Sequence, residues 1–167
     1  MAEIPGSFKK SALDFFNYSS RDALQIQQES SEYLTSGDSV TDAETKTSKN
    51  TLALQSGNYG ILNPSKPDTS IVGSGAIDFN SAEINVDCKI STSTINGATI
   101  VNRGATAIFS NCTFMNTITV VGSAHFIGCL FQGAINNTGT TYIIGCSNKS
   151  GAAHVGVPAT NIFGETT

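Results

Sequence analysis

The chain has 167 residues, of which only 13% are charged, with 16 glycines and no tryptophan. That length suits one domain with a substantial core and excludes two large ones, and the excess of Gly, Ser, Thr and Asn over charge favours turns and short strands over helices. The net charge of −4, with basic residues scattered singly apart from Lys9 and Lys10, leaves no footprint for a nucleic-acid backbone.

The first stretch, Met1 to Lys10, lacks the apolar core of a secretion signal, and no run approaches the roughly 18 apolar residues of a membrane span. Synthesis in the cytoplasm, with no membrane partner, is the expectation. Phe8, Leu13, Phe15, Phe16 and Tyr18 then concentrate apolar side chains in a short segment with no coil to join, which marks them as a partner-binding element. They have two possible uses: covering the open end of a stack of strands, or contacting another protein. After Ser20 the sequence predicts a helix, with Asp22 in its first turn and a thin apolar stripe running to Leu34. From Thr35 to Asn50 it is polar, with Val40 and Ala43 nearly its only apolar residues, and reads as a linker or an arm laid on a surface. Met1 to Ser70 holds 15 of the 22 charged residues. Leu52, Leu54, Ile61 and Leu62 restore apolar content before Pro64 and Pro67 interrupt it. Residues 1–70 are therefore read as an N-terminal arm, partly helical and then extended.

The central stretch, 71–150, repeats. Cys88, Cys112, Cys129 and Cys146 are spaced by 24, 17 and 17 residues, which is self-similarity rather than zinc-ligand spacing. Turn-forming residues precede the cysteines. Ile77, Ile100, Ile118 and Ile135 stand 11 or 12 positions upstream, and Ser81, Gly104, Gly122 and Gly139 follow those isoleucines by four. Thr92, Asn116, Gly133 and Ser150, four positions beyond the cysteines, make a third corner.

Three short strands separated by three corners, at about 3.3 Å per residue, close into a triangular coil whose copies stack about 4.8 Å apart. The fold class is thus all-β, a small parallel β-helix of about four coils of 17–24 residues. Alternation places Cys88 with Ile90, Cys112 with Phe114 and Cys129 with Phe131 inside, as core ladders. The cysteines read as inert, free core thiols, because in-register neighbours point their Cβ vectors in parallel and do not suit a bridge. The longer first spacing predicts a protruding loop near Ser91 to Gly97, and an extra residue between Gly104 and Cys112 predicts a bulge. Asn137 and Asn148 fall where earlier coils carry Val120 and Phe131, so the apolar columns run out toward the end. Residues 151–167 read as a C-terminal cap or arm.

No catalytic, metal or cofactor site is expected. Cleaving a polysaccharide takes two groups, one to protonate the leaving oxygen and one to activate the nucleophile; among Asp78, Glu83 and Asp87, only Glu83 with Asp87 forms a pair worth testing. His125 and His154 lack partners at suggestive spacing, and His125 aligns with Ala107 and Tyr142. Sequons at Asn17, Asn111, Asn136 and Asn148 carry little weight without a signal sequence. The Thr-x-Thr ladder of ice-binding β-helices is absent.

With coils such as Gly104 to Cys112 (GATAIFSNC) and Gly122 to Cys129 (GSAHFIGC), about half the chain resembles the short β-helical modules of tailed-phage virion proteins, through repeat style and not through a diagnostic motif. The resemblance implies a structural role. One form is a homotrimeric capsid decoration or cement protein, made in the host cytoplasm and bound at the capsid surface to the major capsid protein through its arm; the alternative is a tail-fibre or tailspike module that binds host carbohydrate.

Overall fold

In the computed structural model, residues 39–46, 50–73, 76–148, 154–156 and 160–161 are described. One short helix, α1 (Val40–Lys46), precedes a parallel β-solenoid of six turns and the start of a seventh. The turns are β1 (Thr51–Leu54), β2 (Gly57–Asn58) and β3 (Ile61–Leu62); β4 (Thr69–Gly73), β5 (Ile77–Phe79) and β6 (Ser81–Ile84); β7 (Cys88–Ser91), β8 (Ser93–Ile95) and β9 (Thr99–Val101). They continue with β10 (Thr106–Ser110), β11 (Thr113–Phe114) and β12 (Ile118–Val120); β13 (Ser123–Ile127), β14 (Leu130–Phe131) and β15 (Ile135–Asn137); β16 (Thr140–Ile144), β17 (Ser147–Asn148) and β18 (His154–Gly156). Strand β19 (Thr160–Asn161) opens the next turn.

Every third strand pairs, so three parallel sheets form the faces: seven strands beginning β1-β4-β7, and two six-stranded sheets containing β2-β5-β8 and β3-β6-β9. We call them faces A, B and C. Along face A, Thr51, Ser70, Lys89, Ile108, His125 and Tyr142 are successive partners, giving turns of 19, 19, 19, 17 and 17 residues.

Alternation within each strand sends one set of side chains inward. On face A, Leu52, Ile71, Ile90, Phe109, Phe126 and Ile143 form one interior column. On face B, Phe79, Ile95, Phe114 and Phe131 form another. Where the two columns meet, Phe109 and Phe126 stack at 5.4 Å, and Phe114 meets both rings edge-on at 5.0 and 5.4 Å. Such pairs favour one packing over alternatives by about 0.5–1.5 kcal/mol each beyond burial.

The stack has more turns than the four read from the cysteines. The first turn, β1–β3, carries no cysteine, and it lies in residues the sequence reading had assigned to the arm. Ile77, Ile100 and Cys88 also change place. Ile118 and Ile135 are partners in face C, but their partner in β9 is Thr99; Ile100 lies one position on, facing outward and 38% exposed. A shift of one residue reverses the side, because the strand period is two. Ile77 is buried, but in face B beside Ser93. Cys88 opens β7 in face A between Thr69 and Ala107, a different face from the other three cysteines.

The spacing of 24 therefore spans one turn plus a corner, and no loop protrudes at Ser91 to Gly97, where β8 runs. Nor is there a bulge after Gly104: β10 pairs without interruption with β7 and β13, and the extra residues form a wider corner at 102–105, where the amide of Ala105 donates to Asn102 O at 3.1 Å. His125 aligns with Ile108, not Ala107, and with Tyr142. The partners of Val120 and Phe131 are Asn137 and Asn148, in the positions the repeat assigns them.

Residues 40–46 form a helix, not an arm. Ser39 caps it, its hydroxyl accepting from the amide of Asp42 at 3.0 Å. Val40 and Ala43 are fully buried and join the core, and the interior residues of the first turn, Leu52, Leu54, Tyr59 and Leu62, are buried although they belong to the terminal turn. The two isolated apolar residues of this polar stretch thus close the stack.

Candidate functional site

The cysteine column was the strongest landmark in the sequence, and its structure explains the landmark. The residues that turn the chain from face A to face B are Thr92, Asn111, Gly128 and Gly145, with φ of 50°, 54°, 62° and 58°. This left-handed conformation suits Gly and Asn. Immediately after them come Ser93, Cys112, Cys129 and Cys146, all turned toward the core.

Each of these side chains donates to the carbonyl two residues back: Ser93 Oγ to Ser91 O at 3.1 Å, Cys112 Sγ to Ser110 O at 3.5 Å, Cys129 Sγ to Ile127 O at 3.6 Å and Cys146 Sγ to Ile144 O at 3.5 Å. The thiols also reach the preceding turn, Cys129 to Phe109 O at 3.3 Å and Cys146 to Phe126 O at 3.2 Å. A thiol has a single proton, so these contacts are weak alternatives to one another, and the carbonyls two residues back already accept a backbone amide: Ser110 O from Thr92, Ile127 O from Asn111 and Ile144 O from Gly128.

All four thiols are free. Burial, aided by the carboxylates of Asp87 and Glu44, pushes the Cys88 thiol up to about 12. Cys129 is likewise pushed up to about 12, first by its hydrogen bond to Cys112 and then by burial, and Cys146 higher still by its bond to Cys129 and by burial. Cys112 moves the other way because it accepts from Cys129. Within the column Cys112 is thus the thiol that ionises first, and it is 1% exposed. This environment opposes thiolate chemistry.

Glu83 and Asp87 are not brought together on one face. Glu83 points outward from face C, with Asn102 Nδ2 at 3.5 Å from its Oε1. Asp87 occupies the corner leading into face A, where its Oδ1 accepts from the amide of Thr106 at 2.7 Å. Asp87 lines a shallow depression with Asp68, Lys89 and Thr106. His125 stands on the outward side of face A, its ring 4.6 Å from that of Tyr142, and partial burial holds its imidazole below the usual value. Among the described residues, no group of three or more His, Cys, Asp or Glu is placed to hold a metal ion, and no helix is long and apolar enough to cross a membrane.

The most connected polar group is Glu44, which the sequence reading passed over as one charge in a polar arm. It is 1% exposed. Its carboxylate accepts from the Ser65 amide at 2.7 Å, the Ser65 hydroxyl at 2.6 Å and the Thr69 hydroxyl at 2.7 Å, while Lys66 Nζ donates to the Glu44 carbonyl. This cluster fastens α1 to the connection between the first and second turns. The partner-binding candidates Phe8, Leu13, Phe15, Phe16 and Tyr18, and the helix expected after Ser20, lie outside the described residues.

No family model, curated protein or solved structure matches the chain.

Proposed function

We propose that the protein is a structural component of a tailed-phage virion: a capsid decoration or cement protein, homotrimeric, that binds the major capsid protein through its N-terminal arm while the solenoid stands outward. The observation that carries this reading is the junction at Ser39, where the arm enters a stack closed at that end by α1. A rigid body about 29 Å long, six turns at about 4.8 Å, anchored by a segment leaving its capped end, has the build of a projecting knob. Its polar groups hold corners and cap. The function is binding, with no catalytic step.

One observation favours the tail-fibre alternative. Exposed amide pairs bridge successive turns, Asn58 Nδ2 to Asn80 Oδ1 and Asn102 Nδ2 to Asn85 Oδ1, both at 2.8 Å, and such ladders offer hydrogen-bonding edges to a sugar. The deciding experiment is co-sedimentation with purified particles, using the full chain and a form lacking residues 1–38. Binding by the full chain alone supports the cement reading, and binding by both removes the arm from it. Saturable glycan binding by the shortened form establishes the fibre reading instead. A monomer in sedimentation at micromolar concentration excludes the trimer.

A further inference from the structure

The corner from face B to face C in the third turn is Asn96-Gly97-Ala98, between β8 and β9, and it holds the only Asn-Gly pair in the chain. The register places Met115-Asn116-Thr117 and Gln132-Gly133-Ala134 at the same corner one and two turns on. Asn96 is exposed. Its main-chain amide donates to Phe79 O at 2.9 Å, while its carboxamide and the amide of Gly97 take part in no hydrogen bond among the described residues. The nearest asparagines at this corner are engaged: Asn80 Oδ1 accepts from Asn58 Nδ2 and Asn116 Oδ1 from the amide of Thr117, both at 2.8 Å. Asn111 also has a free carboxamide, but Cys112 follows it and sets a Cβ beside the next amide.

We propose that Asn96 is a self-modification site, where the folded protein converts its own carboxamide into a carboxylate through a cyclic imide. The main-chain nitrogen of Gly97 gives up its proton and attacks Asn96 Cγ. The N–Cγ bond forms, the Cγ–Nδ2 bond breaks, and the nitrogen leaves as ammonia carrying that proton. Water then adds to one of the two ring carbonyls and opens the ring, giving aspartate from one side and isoaspartate from the other. Water is the only co-reactant, and nothing is oxidised or reduced. Glycine favours the attack because it has no Cβ to crowd the nitrogen and lets the backbone turn onto the ring. Neither reacting group has a hydrogen bond to surrender.

Either product sets a new negative charge on the surface of a chain whose net charge is already −4. The two products differ in what they do to the stack. Aspartate leaves the main chain as it was. Isoaspartate lengthens it by one carbon where Gly97 lies against the turn below, so closely that a Cβ on it would fall 2.2 Å from Asn80 O. The reaction needs only the folded solenoid and stands apart from the cement reading.

The test is to hold the full-length protein at pH 8 and 37 °C in water enriched in heavy oxygen, and to digest samples at intervals for mass spectrometry. The peptide containing Asn96 should gain the mass of an amide-to-acid conversion with one heavy oxygen, located at Asn96 by its fragments. It should separate into two forms, aspartate and isoaspartate, and should appear faster at pH 8 than at pH 6. Asn80, Asn111 and Asn116 should stay unchanged over the same period. Asn96→Gln, which copies the residue that Gln132 supplies two turns on, should abolish the conversion with unchanged far-ultraviolet circular dichroism. Should that variant misfold, Asn96→Asp decides instead, because its peptide must co-elute with one of the two products. An Asn96 that converts only after unfolding in urea, equal conversion at the other three asparagines, or an aspartate product without isoaspartate overturns the proposal.

Discussion

The carboxylate of Glu44 takes two hydrogen bonds from one residue, Ser65, through its amide at 2.7 Å and its hydroxyl at 2.6 Å. A buried carboxylate with this many donors behaves as a clamp, although Ser65 is itself exposed and the buried Thr69 hydroxyl also reaches Lys66 O at 2.8 Å. The loss is therefore chiefly that of the bonds to the charged group, about 1.5–3 kcal/mol each. Glu44→Ala should therefore lower the urea midpoint by the equivalent of about 3 kcal/mol or more. Glu44→Gln, which keeps the shape and one carbonyl acceptor, should lose less. Equal midpoints for wild type and the alanine variant would remove the clamp.

Thr92 stands out in the left-handed corner column, since it is β-branched where its counterparts are Asn111, Gly128 and Gly145. That conformation costs an L-residue about 1–2 kcal/mol, and less for Asn. Thr92→Asn should stabilise the solenoid by about 0.5–1 kcal/mol, seen as a rise in Tm. The opposite control lies at the corner from face C to face A, where a Cβ on Gly139 would fall 2.1 Å from Gly122 O. Gly139→Ala should destabilise far more than Gly145→Ala, which meets nothing within 4 Å and carries only its backbone strain.

These corners show what was legible in the chain. Gly and Asn before Cys112, Cys129 and Cys146 mark left-handed turns, so the period of 17 and the local inward alternation can be read directly. Cys88 misleads because Asp87 is also a turn-former but belongs to another corner, while the true equivalents of the column are Thr92 and Ser93, chemically unlike Asn-Cys or Gly-Cys. The first turn escaped because Tyr59 and Leu62 satisfy its core without repeating any landmark. The clamp at Glu44 was invisible because its partners lie 21 to 25 residues away, and sequence spacing carries no signal for a contact made only once the coil closes.

Cys88 gives the stability a pH dependence of defined sign. Cys88 holds its proton up to about 12 in the fold, against 9.0 for an ordinary thiol. Below 9 both states are protonated and this group contributes no slope. Between 9 and 12 the unfolded chain sheds the proton and the folded one keeps it, so stability falls as pH rises, by at most about 1.4 kcal/mol per pH unit. Cys88→Ala should flatten that alkaline loss relative to wild type in urea titrations at several pH values. Identical slopes would show that Cys88 does not contribute. At pH 8, alkylation of Cys88 and Cys129 in the folded protein should be much slower than in urea.

Truncation tests where the body begins. Removing residues 1–38 leaves Ser39, whose hydroxyl caps α1 and whose carbonyl accepts from the amide of Ala43 at 3.1 Å. Removing residues 1–50 deletes the cap, uncovering Leu52, Leu54, Tyr59 and Leu62 and leaving Ser65 and Thr69 without their carboxylate. Burying Val40 alone is worth about 1.5–3 kcal/mol, so the longer truncation should lose several kcal/mol. It should also self-associate, because the exposed edges of β1, β2 and β3 would then be open to pairing. The shorter form should keep its β-signature, with a far smaller change in urea midpoint. A long truncation as stable and monodisperse as the short one would show that α1 is an ornament of the arm; loss of the coils on the short truncation would show that the body extends upstream of Ser39.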